Sequence, residues 1–203
     1  VYIPFWLYSG NCEGSITAEG INTRTWTSEN YRYTEKKYYS VYRNGTLDFK
    51  AVPVDASSKT DDDAMDSIEP FDYSEMTAFN PGYLSGYLAE RYDEDKDKCL
   101  PRAKERIENT TRDELRNTCN YNSVNVQSYE KHTEIKDVKY AMLPTWLLYT
   151  TYQDKPYFFA MNGQTGKFIG NLPISKGKLV AYSLLGGVGG YIIGAILQIM
   201  GIF

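Results

Sequence analysis

The sequence predicts an α+β protein in which two antiparallel β-meanders flank a helical middle section, followed by a C-terminal transmembrane helix. Three observations carry that expectation. Aromatic residues make up 15% of the 203-residue chain, with 19 tyrosines, a side chain that suits a half-buried pleated surface. The hydrophobic period is two over the first 54 residues, helical from about residue 60, and two again from Thr133 to Ile169. No charged side chain occurs from Leu179 to Phe203, although 24% of the chain is charged. A helix over that stretch measures about 37 Å, against about 30 Å of bilayer hydrocarbon. The expected division is a cytoplasmic α+β domain over 1–175 and a transmembrane segment over 176–203.

The first 54 residues read as strands. Asn44-Gly45 is the dipeptide best suited to a two-residue type I′ turn, and pairing outward from it sets Tyr42 opposite Leu47 and Ser40 opposite Phe49. Trp26 and Tyr31-Arg32-Tyr33 belong to a neighbouring hairpin. Thr60-Asp61-Asp62-Asp63 reads as a helix cap with acid in the first turn. Asn80-Pro81 opens a second helix, along which Tyr83, Leu84, Tyr87, Leu88 and Arg91 or Tyr92 recur at helical spacing. A longer helix follows Pro101, with Ala103, Ile107, Thr110 or Thr111 and Leu115 facing inwards, and ends near Asn117 to Asn120. An extended segment from Ser123 to Tyr129 leads to a meander over Tyr140–Tyr152, Tyr157–Met161 and Lys167–Ile169, whose second turn holds Asn162-Gly163. Ile3-Pro4-Phe5-Trp6-Leu7 and Leu143-Pro144-Thr145-Trp146-Leu147 share aliphatic-Pro-x-Trp-Leu, a pattern compatible with internal duplication. Trp6 and Trp146 are the expected core anchors.

In the tail, Gly186, Gly190 and Gly194 stand four apart, a spacing that lets two lipid-embedded helices approach closely and form a homo-oligomer. The competing explanation is that glycine is simply common in membrane helices, or kinks this one. Lys167, Lys176 and Lys178 precede the span and nothing charged follows it, which places the soluble domain in the cytoplasm. The chain begins at Val1 and stops at Gly201-Ile202-Phe203, so both ends read as cut and a second span is allowed.

A net charge of -4 with interspersed signs excludes a phosphate-backbone binder, so this fragment is expected to bind no nucleic acid. Cys12, Cys99 and Cys119 are widely spaced and odd in number, which suits free thiols. Asp93-Glu94-Asp95-Lys96-Asp97 has the opening spacing of a calcium loop but lacks its later glycine and glutamate. Gly163-Gln164-Thr165-Gly166-Lys167 is too short for a phosphate loop and places Phe168 where that loop needs a hydroxyl. His132, the one histidine, has no metal-spaced partners, and helix capping accounts for Asp61, Asp62, Asp63 and Asp66. No catalytic, metal or cofactor site stands out, and the chain is expected not to be an enzyme.

A series of phrases nevertheless has a family character: Val1-Tyr2-Ile3-Pro4-Phe5-Trp6-Leu7, Val52-Pro53-Val54-Asp55-Ala56-Ser57-Ser58-Lys59, Ser67-Ile68-Glu69-Pro70-Phe71-Asp72-Tyr73, the run from Tyr83 to Tyr92, Leu143–Leu147, and Phe159–Lys167. Together, over nearly all of 1–175, they resemble the region behind the zinc ribbon in the TFIIB-type zinc-ribbon proteins of Gram-positive bacteria. The resemblance implies an N-terminal Cys-rich ribbon ahead of this region, absent from these residues, and a hydrophobic segment after it. It also implies SPFH-domain (flotillin-like) or phage-shock-type membrane proteins as partners. The function expected from the whole is a membrane-anchored cytoplasmic adaptor or scaffold that binds partner proteins at the bilayer, in membrane stress or organisation. Two alternatives stand beside it. One is a hydrolytic or metal-dependent enzyme using the Asp61 to Asp66 carboxylates or His132; the other is a tether for a nucleic-acid-binding ribbon.

Overall fold

A computed structural model of the chain describes residues 1–170 and 175–199. Its strands are β1 (Tyr2–Ser28), β2 (Tyr31–Asp55), β3 (Ser123–Tyr152), β4 (Lys155–Asn162) and β5 (Phe168–Gly170), joined in one sheet of order β2-β1-β3-β4-β5. Its helices are α1 (Asp62–Ser67), α2 (Lys96–Asn117) and α3 (Lys176–Ile199), with short 3-10 turns at Tyr73–Glu75 and Pro81–Leu84. The chain divides into two units. The first comprises Val1–Leu148 and Ala160–Ile169; the second comprises Tyr149–Phe159 and the described part of Gly170–Phe203.

In the first unit β1 is the axis. It pairs antiparallel with β2 from Phe5↔Asp55 to Ser28↔Tyr31, and with β3 from Tyr2↔Pro144 to Ile21↔Ser123. The irregularities in both ladders fall in its neighbours, so β1 alternates without a break. Its even-numbered side chains from Tyr8 to Gly20 are buried, and the residues between them are more open. α2 lies over that buried face with Cys99, Ala103, Ile107, Thr111 and Leu115 inward, a spacing of four that makes one helical stripe. Two apolar clusters result. Tyr8, Val54, Cys99 and Ala103 form one, and Ile16, Ala18, Val41, Leu115, Cys119 and Val124 form the other. Near the N-terminus Ile3, Phe5 and Leu7 are buried as well, so both faces of β1 are covered there, and Phe5 meets the ring of Phe71 at 5.8 Å.

The approach of α2 needs small residues on β1. A Cβ on Gly14 would lie 2.9 Å from Thr111 Cγ2 and 3.0 Å from Leu115 Cδ1. α2 begins with Asp95, whose carboxylate accepts from the amides of Asp97 and Lys98. It therefore starts before Pro101, not after it, and carries that proline internally.

In the second unit β3 turns into β4 through Gln153 and Asp154, both at positive φ, with Tyr149 packed on Phe158 and Tyr152 on Tyr157. α3 exposes Leu184, Leu185, Val188 and Tyr191 among others.

Several expectations are overturned. The strands do not form two meanders around a helical section, because β3 runs on for 30 residues and pairs with β1. Asn44-Gly45 is no turn. Both residues lie inside β2, Asn44 opposite Ser15 and Gly45 opposite Gly14, and the reversal comes at Glu29-Asn30, where Glu29 takes φ 54°. Asn80-Pro81 opens a single 3-10 turn, after which Gly86 at φ 85° breaks any helix. The two Pro-x-Trp-Leu segments are cross-strand neighbours, with Ile3 opposite Leu143. Trp6 is half-buried between Tyr92 and Tyr140, whereas Trp146 is 66% exposed and anchors no core. Among the described residues no helix is long and apolar enough to cross a membrane, so the transmembrane reading of 176–203 falls. α3 is diluted by glycines and by Tyr182, Ser183 and Tyr191. Gly201-Ile202-Phe203 lies outside the described residues.

The register distinguishes the two glycines experimentally. Gly14→Ala should destabilise the fold by about 1–3 kcal/mol through overpacking against α2. Gly45→Ala should stay within about 0.5 kcal/mol, because its Cβ would meet Leu115 at an ordinary 3.5 Å. Urea denaturation measures both, and a large loss at Gly45 with none at Gly14 would favour a turn at Asn44-Gly45.

Candidate protein-binding surface

The connection from α1 to α2 contains no long element, yet it is fastened at both ends. Asn162, fully buried at the end of β4, donates through Nδ2 to the carbonyls of Ile68 and Pro70, each at 3.0 Å. Its Oδ1 accepts from the amides of Gln164 at 2.8 Å and Thr165 at 3.0 Å. One side chain thus shapes its own turn and holds a segment more than 90 residues away. Gln164 continues the clamp, accepting from the Asp72 amide and donating to the Asp72 carbonyl. Arg106 of α2 reaches Asp66, both carboxylate oxygens of Glu69 and the carbonyl of Pro53.

The far end is tied to β1 and β2. Tyr2 donates its amide to Leu88 at 2.8 Å and accepts from the Glu90 amide at 3.0 Å. Ser57 Oγ donates to Glu90, the Asp93 carboxylate takes the amide and hydroxyl of Ser58, and Trp6 Nε1 donates to the Glu94 carbonyl. Asp55 closes this corner. Its buried carboxylate accepts from the Ser57 amide and the Thr60 hydroxyl. Burial pushes its pKa up to about 6, outweighing those two hydrogen bonds.

Between the fastenings the chain turns its apolar side chains outward. Met76, Phe79, Tyr83, Tyr87 and Leu88 are all exposed, Leu88 by 75%. A cleft of about 440 Å³ opens beside them, floored by Tyr140, Met142, Leu143 and Pro144, with Glu75 and Gln164 at its wall. Asn80 holds the tip by accepting from the Gly82 amide, and Tyr87 packs edge-on against Tyr2 at 5.7 Å. A contiguous exposed patch of large apolar and aromatic side chains is what protein interfaces use as anchors.

The candidate catalytic groups named in the sequence lie at separate places in the fold. Cys12, Cys99 and Cys119 are free but buried, and burial pushes the Cys99 thiol up to about 11, helped by the charges of Glu94 and Asp55. Asp61 caps α1. Arg102 pairs with Asp62 at 2.6 Å and Asp66 at 2.8 Å, and Arg106 also takes Asp66, so these carboxylates are already countered. His132 lies exposed on β3 opposite Glu13, one rung from the Cys12↔Thr133 pair but, by the alternation of the strand, on the other face of the sheet from buried Cys12. Among the described residues no group of three His, Cys, Asp or Glu side chains could hold a metal ion, and the zinc-ribbon label has no support in them.

The remaining residues singled out in the sequence are dispersed. Gly163 sits where a Cβ would approach the Pro144 carbonyl at 2.8 Å. Lys167, expected beside a membrane, donates to the Glu69 carbonyl. Lys176 and Lys178 open α3, and a Cβ on Gly186, Gly190 or Gly194 would meet nothing within 4 Å. Sequence reasoning missed the clamping roles of Asn162, Gln164 and Arg106. The only local signal was the turn sequence Asn162-Gly163-Gln164-Thr165 itself.

The chain is similar to the uncharacterized protein YdjG of Bacillus subtilis (strain 168), with 38% identity over 183 residues. The match covers 90% of this chain and 54% of that protein, so the chain spans about half the length of the curated relative it matches. No protein-family profile and no solved structure matches it.

Two measurements check the corner and the clamp. Asn162→Ala should cost about 1–3 kcal/mol by leaving buried polar groups unpaired, with faster amide exchange over 68–76; unchanged exchange there would remove the clamp. Asp55 binds its proton more tightly folded than unfolded, so its contribution is present below about pH 4 and is lost as pH rises through about 6. A two-unit shift is worth about 3 kcal/mol. Asp55→Asn should therefore flatten the stability profile between those values relative to the parent chain, and identical profiles would contradict the assignment.

Proposed function

We propose that this chain is a non-enzymatic adaptor that binds partner proteins through the clamped loop between α1 and α2. The observation that carries the reading is the combination of exposure and fixation. Phe79, Tyr83, Tyr87 and Leu88 are open to solvent, while Asn162, Gln164, Tyr2 and Ser57 hold the flanking backbone in place. A loop fastened in this way loses little conformational entropy when a partner covers it, so its aromatic groups convert directly into affinity.

The proposed partner class rests on the sequence resemblance alone. The partners proposed are SPFH-domain or phage-shock-type proteins at the cell membrane. The adaptor role does not depend on a transmembrane anchor in this chain.

Crosslinking and recovery of the intact protein from its own cells tests the proposal. The double variant Phe79→Ser/Tyr83→Ser should lose the enriched partners of the parent chain while keeping its melting temperature within a few degrees. Recovery of the same partners by the variant would place binding elsewhere on the molecule.

A further inference from the structure

We propose that the free end of the β1–β2 hairpin is a docking arm for the open sheet face of a second copy of this chain. The pairing of β3 with β1 stops at Ile21↔Ser123, but β1 and β2 stay paired to Ser28↔Tyr31. Residues 22–37 therefore leave the sheet as a two-stranded ribbon about 24 Å long. Every residue from Asn22 to Thr34 is exposed. Such ribbons are marginal by themselves. This one is stiffened by Trp26 stacked on Tyr33, with 5.7 Å between centroids and 15° between planes, and by the Arg24 guanidinium 5.7 Å from the Trp26 ring. Alternation places Arg24, Trp26, Tyr31, Tyr33, Glu35 and Lys37 on one side of it, with Lys37 3.6 Å from the Glu35 carboxylate and Arg24 the cation left over.

The ribbon is also positive. Arg24, Arg32, Lys36 and Lys37 outnumber Glu29 and Glu35 in a chain of net charge -4. The opposite charge lies on the sheet face turned away from α2. There the register aligns Glu13, Glu19, Asp48, Glu130 and Glu134, with His132 in their midst. Tyr38 and Tyr42, each about 60% exposed, stand on the same face. A shallow depression of about 400 Å³ lined by Glu13, Tyr42, Glu130 and His132 marks its centre. Arm and face thus match in both charge and aromatic character.

The arm cannot serve its own face, because β1 and β2 run straight through from one to the other. Four cations offset by two carboxylates are a weak match for phosphate-dense surfaces, which reward many uncompensated cations. A second copy supplies the complementary face at matched stoichiometry. Reciprocal docking of two arms on two faces closes as a two-fold pair.

Sedimentation velocity of the full chain tests this by a charge swap. The parent should dimerise, more weakly as salt rises. Arg24→Glu/Lys37→Glu and Glu13→Lys/Glu130→Lys, all at exposed positions, should each weaken dimerisation about tenfold or more. Mixing the two variants should restore it, because each reversed arm then meets a reversed face. A monomer at every concentration, variants that associate like the parent (as association through α3 would give), or a mixture that fails to recover would overturn the proposal. Binding to phosphatidylglycerol vesicles or duplex DNA by a chain that stays monomeric would overturn it as well.

Discussion

The first unit depends on how closely α2 can lie against β1. Gly14 and Gly20 leave no room for a side chain, Gly14 beneath Thr111 and Leu115 and Gly20 beneath the ring of Tyr121. Cys12, Ile16 and Ala18 complete a strip that is small at some points and apolar throughout. Dispersion and apolar burial both decay steeply with separation, so a helix held off by one methyl group would lose contacts along its whole stripe. Once α2 is seated, Arg102 and Arg106 on its outer flank fix α1 and Glu69, and Tyr8, Val54, Cys99 and Ala103 close the core at its start. Tyr129 reaches from β3 to the Glu108 carbonyl of the same helix, so the third strand is tied to it too.

That dependence explains which parts of the fold were legible in the sequence. Ala103, Ile107 and Leu115 could be read because a helix facing a sheet repeats locally every three to four residues. The Asn44-Gly45 dipeptide misled for the opposite reason. Its turn preference is local and modest, whereas its place in β2 is decided by a ladder of more than twenty pairs. Glu29, which does turn the chain, has no glycine to announce it. The two Pro-x-Trp-Leu segments lie on adjacent strands with Ile3 opposite Leu143, a relation that no linear pattern displays. The run from Tyr83 to Tyr92 has helical spacing, but its backbone is used by Tyr2 instead.

The candidate binding surface was still less visible. Asn162 reads in sequence as an ordinary turn residue, and only the fold brings Ile68 and Pro70 to its amide. The exposed side chains of Met76, Phe79 and Leu88 look like core residues on paper. A sequence reader assigns hydrophobic groups to the interior by default, and interfaces are the systematic exception. The hairpin expected at Trp26 and Tyr31-Arg32-Tyr33 does form, but its exposure past the end of β3 was not visible in the sequence. In the folded chain these two exposed aromatic regions lie on parts of the first unit that its own core does not use. One is an irregular loop and the other a bare ribbon.

Residue-resolved hydrogen exchange on the intact chain tests the central claim most directly. If the contact between β1 and α2 governs the fold, the amides of Cys12 to Ala18 and of Ile107 to Leu115 will be the slowest to exchange and will open with one common free energy. Gly45 will be protected with them, as a strand residue beneath the helix, while 22–34 exchanges quickly. Separate opening energies for β1 and α2, or rapid exchange at Asn44 and Gly45, would contradict the account.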